Sequence, residues 1–226
     1  GQWNGVALLS RVGLDDVEKD FADQPDFAGR QESRAVSATC GGIRVHSLYV
    51  PNGRELDAEH YVYKLKWLMA FAKVVEQGPS EVALCGDMNV APSDVDVFDP
   101  QAFVGHTHVS QPERDAITNL GLIDLMRQHW PDEQNMYSYW DYRAGMFQRD
   151  QGMRIDLILG SEPVASRVQA AWVDRAARKG TRPSDHAPVI VDLDAAPDGN
   201  IGPMVPPPSR PARKTGTKLP QDLNRS

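Results

Sequence analysis

Four polar clusters fall at the ends of apolar, strand-like runs in this chain. Tyr49 and Asn52 close the run 43–50, Asp87 and Asn89 follow 82–85 across Gly86, Asp156 interrupts 153–159, and Asp185 with His186 precedes 189–193. If the strand geometry of 82–85 continues, side chains two residues apart share a face. The Asp87 carboxylate and the Asn89 carboxamide then point together off the end of a core strand. Each cluster alone has a plainer reading, as turn chemistry, a buried acid met by Arg154, or a satisfied core histidine. Four of them at strand ends reverse the odds, because strand ends on one edge of a sheet converge and convergent titratable groups make a site. A histidine beside acids is held charged by a carboxylate partner. Acids without a basic partner invite a hard cation such as Mg²⁺, which takes oxygen ligands and keeps waters for phosphate oxygens. A carboxylate and an amide can orient or deprotonate an attacking water. Together these groups fit metal-assisted hydrolysis of a phosphoester. The chain has no Gly-x-x-x-x-Gly-Lys-Ser/Thr loop, no Gly-x-Ser-x-Gly elbow and no His-Glu-x-x-His pair, which sets aside the chemistries those motifs serve.

The elements that must position these groups are legible in outline. Apolar centres and alternation predict strands over 5–11, 33–40 and 43–50, the last two joined as a hairpin at Gly41-Gly42. Residues 13–29 are polar and acidic and read as a loop. Tyr61, Leu65, Leu68, Ala72 and Val75 fall at helical spacing and predict a helix over 57–77, stopped by Gly78-Pro79. Short helices are expected over 111–120 and 122–129, and strands over 82–85, 153–159, 168–173 and 189–193. The fold class is therefore α/β and rich in sheet.

Composition bounds the rest. The chain has 226 residues, 41% apolar and 24% charged, enough for one sizeable core. No run of 18 apolar residues occurs, so no membrane span is expected. Cys40 and Cys85 lie in apolar runs and read as reduced core residues; with no export signal at the start, they predict a cytoplasmic protein. The net charge of −7 is uneven: residues 195–226 carry five basic and two acidic side chains, leaving −10 on the rest. An acidic body can still bind a polyanion when a divalent cation occupies a carboxylate cluster. The last stretch holds seven of the 17 prolines and reads as a basic, Pro-rich tail, disordered or extended, after a domain over 1–194.

Tyr49-Val50-Pro51-Asn52-Gly53, Gly86-Asp87-Met88-Asn89, 154–159 and 184–189, in that order, resemble the endonuclease/exonuclease/phosphatase superfamily, and within it the exonuclease III branch of exodeoxyribonucleases and apurinic/apyrimidinic endonucleases. Trp3-Asn4-Gly5-Val6-Ala7-Leu8-Leu9-Ser10 and 137–143 resemble that branch too. The resemblance implies a four-layer α-β-β-α sandwich and a Mg²⁺-dependent DNA-repair nuclease, with Mn²⁺ as the alternative to Mg²⁺, acting as a monomer on double-stranded DNA at abasic sites or 3′ ends. It implies that His186 stabilises charge on the scissile phosphate and that Asp156 orients and charges it. Asp87 would position or deprotonate the water, with Asn89 helping; Tyr49 would hydrogen-bond the phosphate. Asp87, Asn89, Asp185 and His186 would form the metal environment. Asn52, Arg34, Arg143 and Arg154 would meet DNA, and Tyr139 and Trp140 would line an abasic-sugar pocket. Family members also carry a Gln-Glu-x-Lys-type motif whose Glu is the main metal ligand; nothing before Trp3 supplies it, and Gln31-Glu32-Ser33-Arg34 only imitates it, so the first strands are expected to be missing. Two rivals stand beside this reading: a phosphatase of the same fold acting on inositol phosphates or lipids, and a catalytically impaired DNA-binding fragment.

Overall fold

The computed structural model describes residues 4–199 and 201–209. Strand β1 (Asp15–Lys19) lies in the acidic stretch that reads as loop. Its side chains are all exposed, so no apolar alternation marks it, and it is held through backbone pairing to β2 (Ala35–Cys40) with a bulge between Asp15 and Glu18. The preceding residues 5–11, expected as a strand, form none, and Leu9 is 94% exposed. Apolar content made that stretch look like a strand, but it has no neighbouring strand to complete its hydrogen bonds, and strands need one.

β2 and β3 (Ile43–Tyr49) form the expected hairpin. Along β3 the buried face is Arg44, His46 and Leu48. Arg44 survives there because Glu18 and Ser37 take its guanidinium, and His46 meets the edge of Phe71 at 5.4 Å. Helix α1 (Glu59–Glu76) ends within two residues of its sequence-based bounds and buries Trp67, Leu68 and Phe71 against Leu48, Leu84 and Leu157. β4 (Val82–Asp87) then pairs in parallel with β3. Helix α2 (Gln111–Thr118) follows a loop. The stretch expected as one further helix splits into β5 (Ile123–Asp124) and α3 (Leu125–His129), because Asp124 accepts from Arg127 N and caps the helix there. β6 (Asp156–Gly160) is antiparallel to β4; α4 (Glu162–Ala165) leads to β7 (Val168–Asp174), and β8 (Val189–Leu193) and β9 (Met204–Val205) flank β7.

Two sheets result, in the orders β1-β2-β3-β4-β6-β5 and β8-β7-β9. This is the mixed α/β, two-sheet architecture expected. α1 and α2 cover the first sheet, while α3 packs on β7. Ile43, Ile158, Val168, Val191 and Leu193 gather around Leu125 and Val164 where the sheets meet. Part of the Pro-rich tail is extended and packed: Met204 is buried and Val205 pairs with Asp174 in β9. Residues 210–226 of that tail, and Trp3, lie outside the described residues. Among the described residues no helix is long and apolar enough to cross a membrane, and Cys40 and Cys85 are free.

Candidate active site

Strand register lines up three candidate side chains. Tyr49 at the end of β3 stands opposite Asp87 at the end of β4, and Asp87 stands opposite Asp156 at the start of β6. Residues directly opposite one another project from the same face, with strands about 4.8 Å apart. Gly86 makes the arrangement possible. Its φ is +146°, and a Cβ there would run into the Leu48 carbonyl of the neighbouring strand.

His186 comes from the other side. Tyr139 bridges to Met153 in one direction and to His186 in the other, drawing the 183–188 loop over the first sheet. Ser138, fully buried, ties both parts: its hydroxyl accepts from Asp156 N at 3.1 Å, and its carbonyl accepts from Ala187 N at 2.7 Å. Arg178 donates to the Ser184 and Trp140 carbonyls, and the Tyr142 hydroxyl to the Pro183 carbonyl at 2.7 Å, so the loop is clamped along its length.

The result is a cleft of about 160 Å³ lined by Tyr49, Asn52, Asp87, Asn89, His108, Tyr139, Met153, Ile155, Asp185 and His186. His186 Nδ1 lies 2.7 Å from Asp156 Oδ2. Burial opposes charge on the ring, but the Asp156 hydrogen bond and the negative charges of Asp156, Asp87 and Asp185 outweigh it and raise its pKa to about 9. Asp87 is pushed up to about 7, by burial first and by the charge of Asp156 second, against the pull of His186, the Asn89 amide and Lys64. Tyr49 is also raised, by burial and then by Asp87, so its hydroxyl stays protonated and can donate. Asn89 Nδ2 donates to Asp87 Oδ2 at 3.2 Å and Asn52 Nδ2 donates to Asn89 Oδ1 at 3.3 Å, which joins three polar side chains on one wall. Behind Asp156 and His186, a second cleft of about 460 Å³ runs between Cys85, Gly86 and Ile158 of the first sheet and Val189 of the second.

The structure brings together Tyr49, Asn52, Asp87, Asn89, Asp156, Asp185, His186 and Tyr139. It does not bring Trp140 or Arg154 there. Trp140 is fully buried with Nε1 donating to Asp150 at 3.2 Å, because its indole fills the core beside Phe147. Arg154 is 1% exposed; its guanidinium is taken by Asp96 at 2.7 Å and Asp124 at 2.7 Å, so it cannot reach a phosphate. Arg34 is committed to Glu32 at 2.7 Å and to the Tyr49 carbonyl at 3.2 Å, and lies over the Tyr49 ring, so it props Tyr49. Arg143 grips Asp141, with its side chain 43% exposed. His108, Met153 and Ile155 were missed. The Ser-Gln-Pro-Glu capping signature at 110–113 marks the helix start beside His108, but nothing in the sequence shows which way that ring turns.

For a divalent cation, the donors present are hard oxygens from Asp87, Asp185 and Asn89. Among the described residues, no three His, Cys, Asp or Glu side chains gather closely enough to hold a metal by themselves. Hard oxygen donors of this kind suit an ion that keeps waters and takes substrate phosphate oxygens.

The model of the endonuclease/exonuclease/phosphatase family matches residues 1–186, and the chain belongs to that family. It is 33% identical over 165 residues to an exodeoxyribonuclease of Bacillus subtilis (strain 168), covering 70% of this chain and 63% of that one. It is 30% identical over 198 residues to Recombination repair protein 1 of Drosophila melanogaster, covering 84% and 28%. It thus spans less than two thirds of the length of these curated relatives. Among solved structures, a 3′-5′ exonuclease from Neisseria meningitidis superposes with a TM-score of 0.76 at 37% identity, covering 82% of this chain and 73% of that one. An AP endonuclease from Archaeoglobus fulgidus gives 0.74 at 32% identity, covering 81% and 72%.

Proposed function

We propose that this chain is the hydrolytic part of a DNA-repair nuclease that cleaves phosphodiesters at abasic sites or from 3′ ends. One observation carries the reading: Tyr49, Asp87 and Asp156 stand at one level across three strands, facing a His186 held against Asp156 at 2.7 Å. With Nδ1–H spent on Asp156, the charged ring has Nε2–H free to meet a phosphate oxygen and stabilise the charge that builds on it. Asp87 takes the proton of an attacking water that Asn89, hydrogen-bonded to it at 3.2 Å, helps to hold. The Tyr49 hydroxyl donates to the same phosphate, and Asn52 and Arg143 approach the backbone of the duplex. Water adds to phosphorus, the bond to the leaving oxygen breaks, and no covalent enzyme intermediate forms. A divalent cation, Mg²⁺ or Mn²⁺, held by Asp87 and Asp185 with water and phosphate, would supply neutralising charge. The names of the relatives, an exodeoxyribonuclease and an AP endonuclease, support DNA as the substrate. A related structure described as a 3′ phosphatase bound to product DNA hairpin adds 3′-phosphate removal to the activities to test. The rival reading as a catalytically silent DNA binder draws on the incomplete set of metal donors among the described residues.

The test is incision of a duplex oligonucleotide carrying one abasic-site analogue, with Mg²⁺ and with EDTA, by the chain and by Asp87→Asn and His186→Ala. Mg²⁺-dependent nicking that both substitutions abolish is the expected result. Binding without cutting by a folded chain would favour the rival.

A further inference from the structure

Behind the cleft lies a buried ion pair that the reaction outlined above does not use. Lys64 of α1 and Glu113 of α2 pair with each other, and both side chains are completely shielded from solvent. Pairs of this kind are weak contributors to stability, since desolvation consumes most of the attraction. What distinguishes this one is where its third contact goes. Lys64 Nζ donates to the Asn89 carbonyl at 2.6 Å, and His108 Nδ1 donates to the same oxygen at 2.6 Å. Glu113 also accepts from Thr107 Oγ1 at 2.6 Å, His108 N at 3.0 Å, Ser110 N at 3.1 Å and Ser110 Oγ at 2.6 Å. It therefore fixes the His108 backbone as well as Lys64.

Asn89 needs the support. Its φ is +50°, in the left-handed region that costs a non-glycine residue free energy and persists only where surroundings over-determine it. Every polar group of Asn89 is engaged. Its amide donates to Asp87 Oδ1 at 2.8 Å, Nδ2 donates to the Val50 carbonyl at 2.9 Å, and Oδ1 accepts from Asn52. The front of this turn holds Asp87; the back is held by the two donors on its carbonyl. We infer that Lys64 and Glu113 are positioning residues, which lock Asn89 in its left-handed conformation and so aim the Asp87 carboxylate and the Asn89 amide into the cleft. This rests on the reading of Asp87 and Asn89 as the pair that handles the attacking water.

Two variants and two readouts test it. Lys64→Met removes one donor from the Asn89 carbonyl while Glu113 keeps its four donors from Thr107, His108 and Ser110. Glu113→Gln keeps the shape and weakens the hold on Lys64 and on the His108 amide. The first readout, steady-state incision of abasic duplex, should show kcat falling about 10–100-fold with KM unchanged, as a misaimed group produces. The second, the three-bond HN–Hα coupling of Asn89 measured by NMR without substrate or metal, should move away from its left-handed value. Folded variants with wild-type kcat, or with the coupling unchanged, would overturn the inference. If Lys64→Met does not fold, Glu113→Gln reads the same carbonyl. If the unsubstituted chain cuts no DNA, the functional reading fails by itself, and the coupling still decides this one.

Discussion

At His186 burial and charge act on the same proton in opposite directions. Three nearby carboxylates win, and the ring stays charged to about pH 9. Asp156→Asn removes the largest favourable contribution, so the His186 Cε1–H resonance should titrate well below 9. A ring still titrating near 9 would mean that Asp87 and Asp185 suffice. The linkage has a definite sign. A histidine whose pKa rises from 6.5 to about 9 on folding adds stability that is fully present below pH 6.5 and lost as pH climbs through 9. The urea midpoint of the metal-free chain should therefore decline across that window, and His186→Gln should flatten the decline. Ser138 is a second point of leverage. Ser138→Ala leaves the amides of Ile155 and Asp156 without their shared acceptor. The expected costs are about 1–3 kcal/mol in urea unfolding and a lower incision rate, because the Asp156 backbone is no longer tied to the His186 loop.

At the scale of the elements, the strand ends were the legible part. Asp87, Asn89, Asp156 and His186 interrupt apolar runs, and an interruption in a strand is visible without coordinates. What did not show was side-chain direction after a turn. Trp140 and Tyr139 are neighbours in an aromatic stretch, yet one faces the core and the other the cleft. Arg154 sits two residues before β6 and reads as a phosphate contact, but Asp96 and Asp124, 58 and 30 residues away in sequence, claim it. β1 was hidden for a different reason: an edge strand with no buried side chain leaves no periodic mark. Two outcomes follow. Arg154→Met should destabilise by about 1–3 kcal/mol, since Asp96 keeps Arg127 and Ser93 as partners while Asp124 loses its guanidinium, and it should leave the salt dependence of DNA binding unchanged, because the Arg154 guanidinium is taken by those two carboxylates. Gly86→Ala should cost more than about 2 kcal/mol in thermal or urea unfolding, because β3 and β4 cannot stay in register around a Cβ.

For the molecule as a whole, the two-sheet architecture followed from motif order, whereas the seam between the sheets did not. Asp87 and Asp156 belong to the first sheet; His186 arrives from the loop that opens β8 in the second. The seam beside them is partly open, with a cleft of about 460 Å³ between Cys85, Ile158 and Val189. The candidate site is therefore assembled by docking two bodies, and its integrity measures their alignment. Sliding of one sheet over the other would separate His186 from Asp156 once the Ser138 hydrogen bonds to Asp156 N and Ala187 N gave way, while each sheet kept its own ladder. Such local openings are less costly than global unfolding. On gentle heating, incision should be lost at a lower temperature than far-UV circular dichroism, with recovery on cooling. Coincident curves would mean that the sheets part only when the chain unfolds.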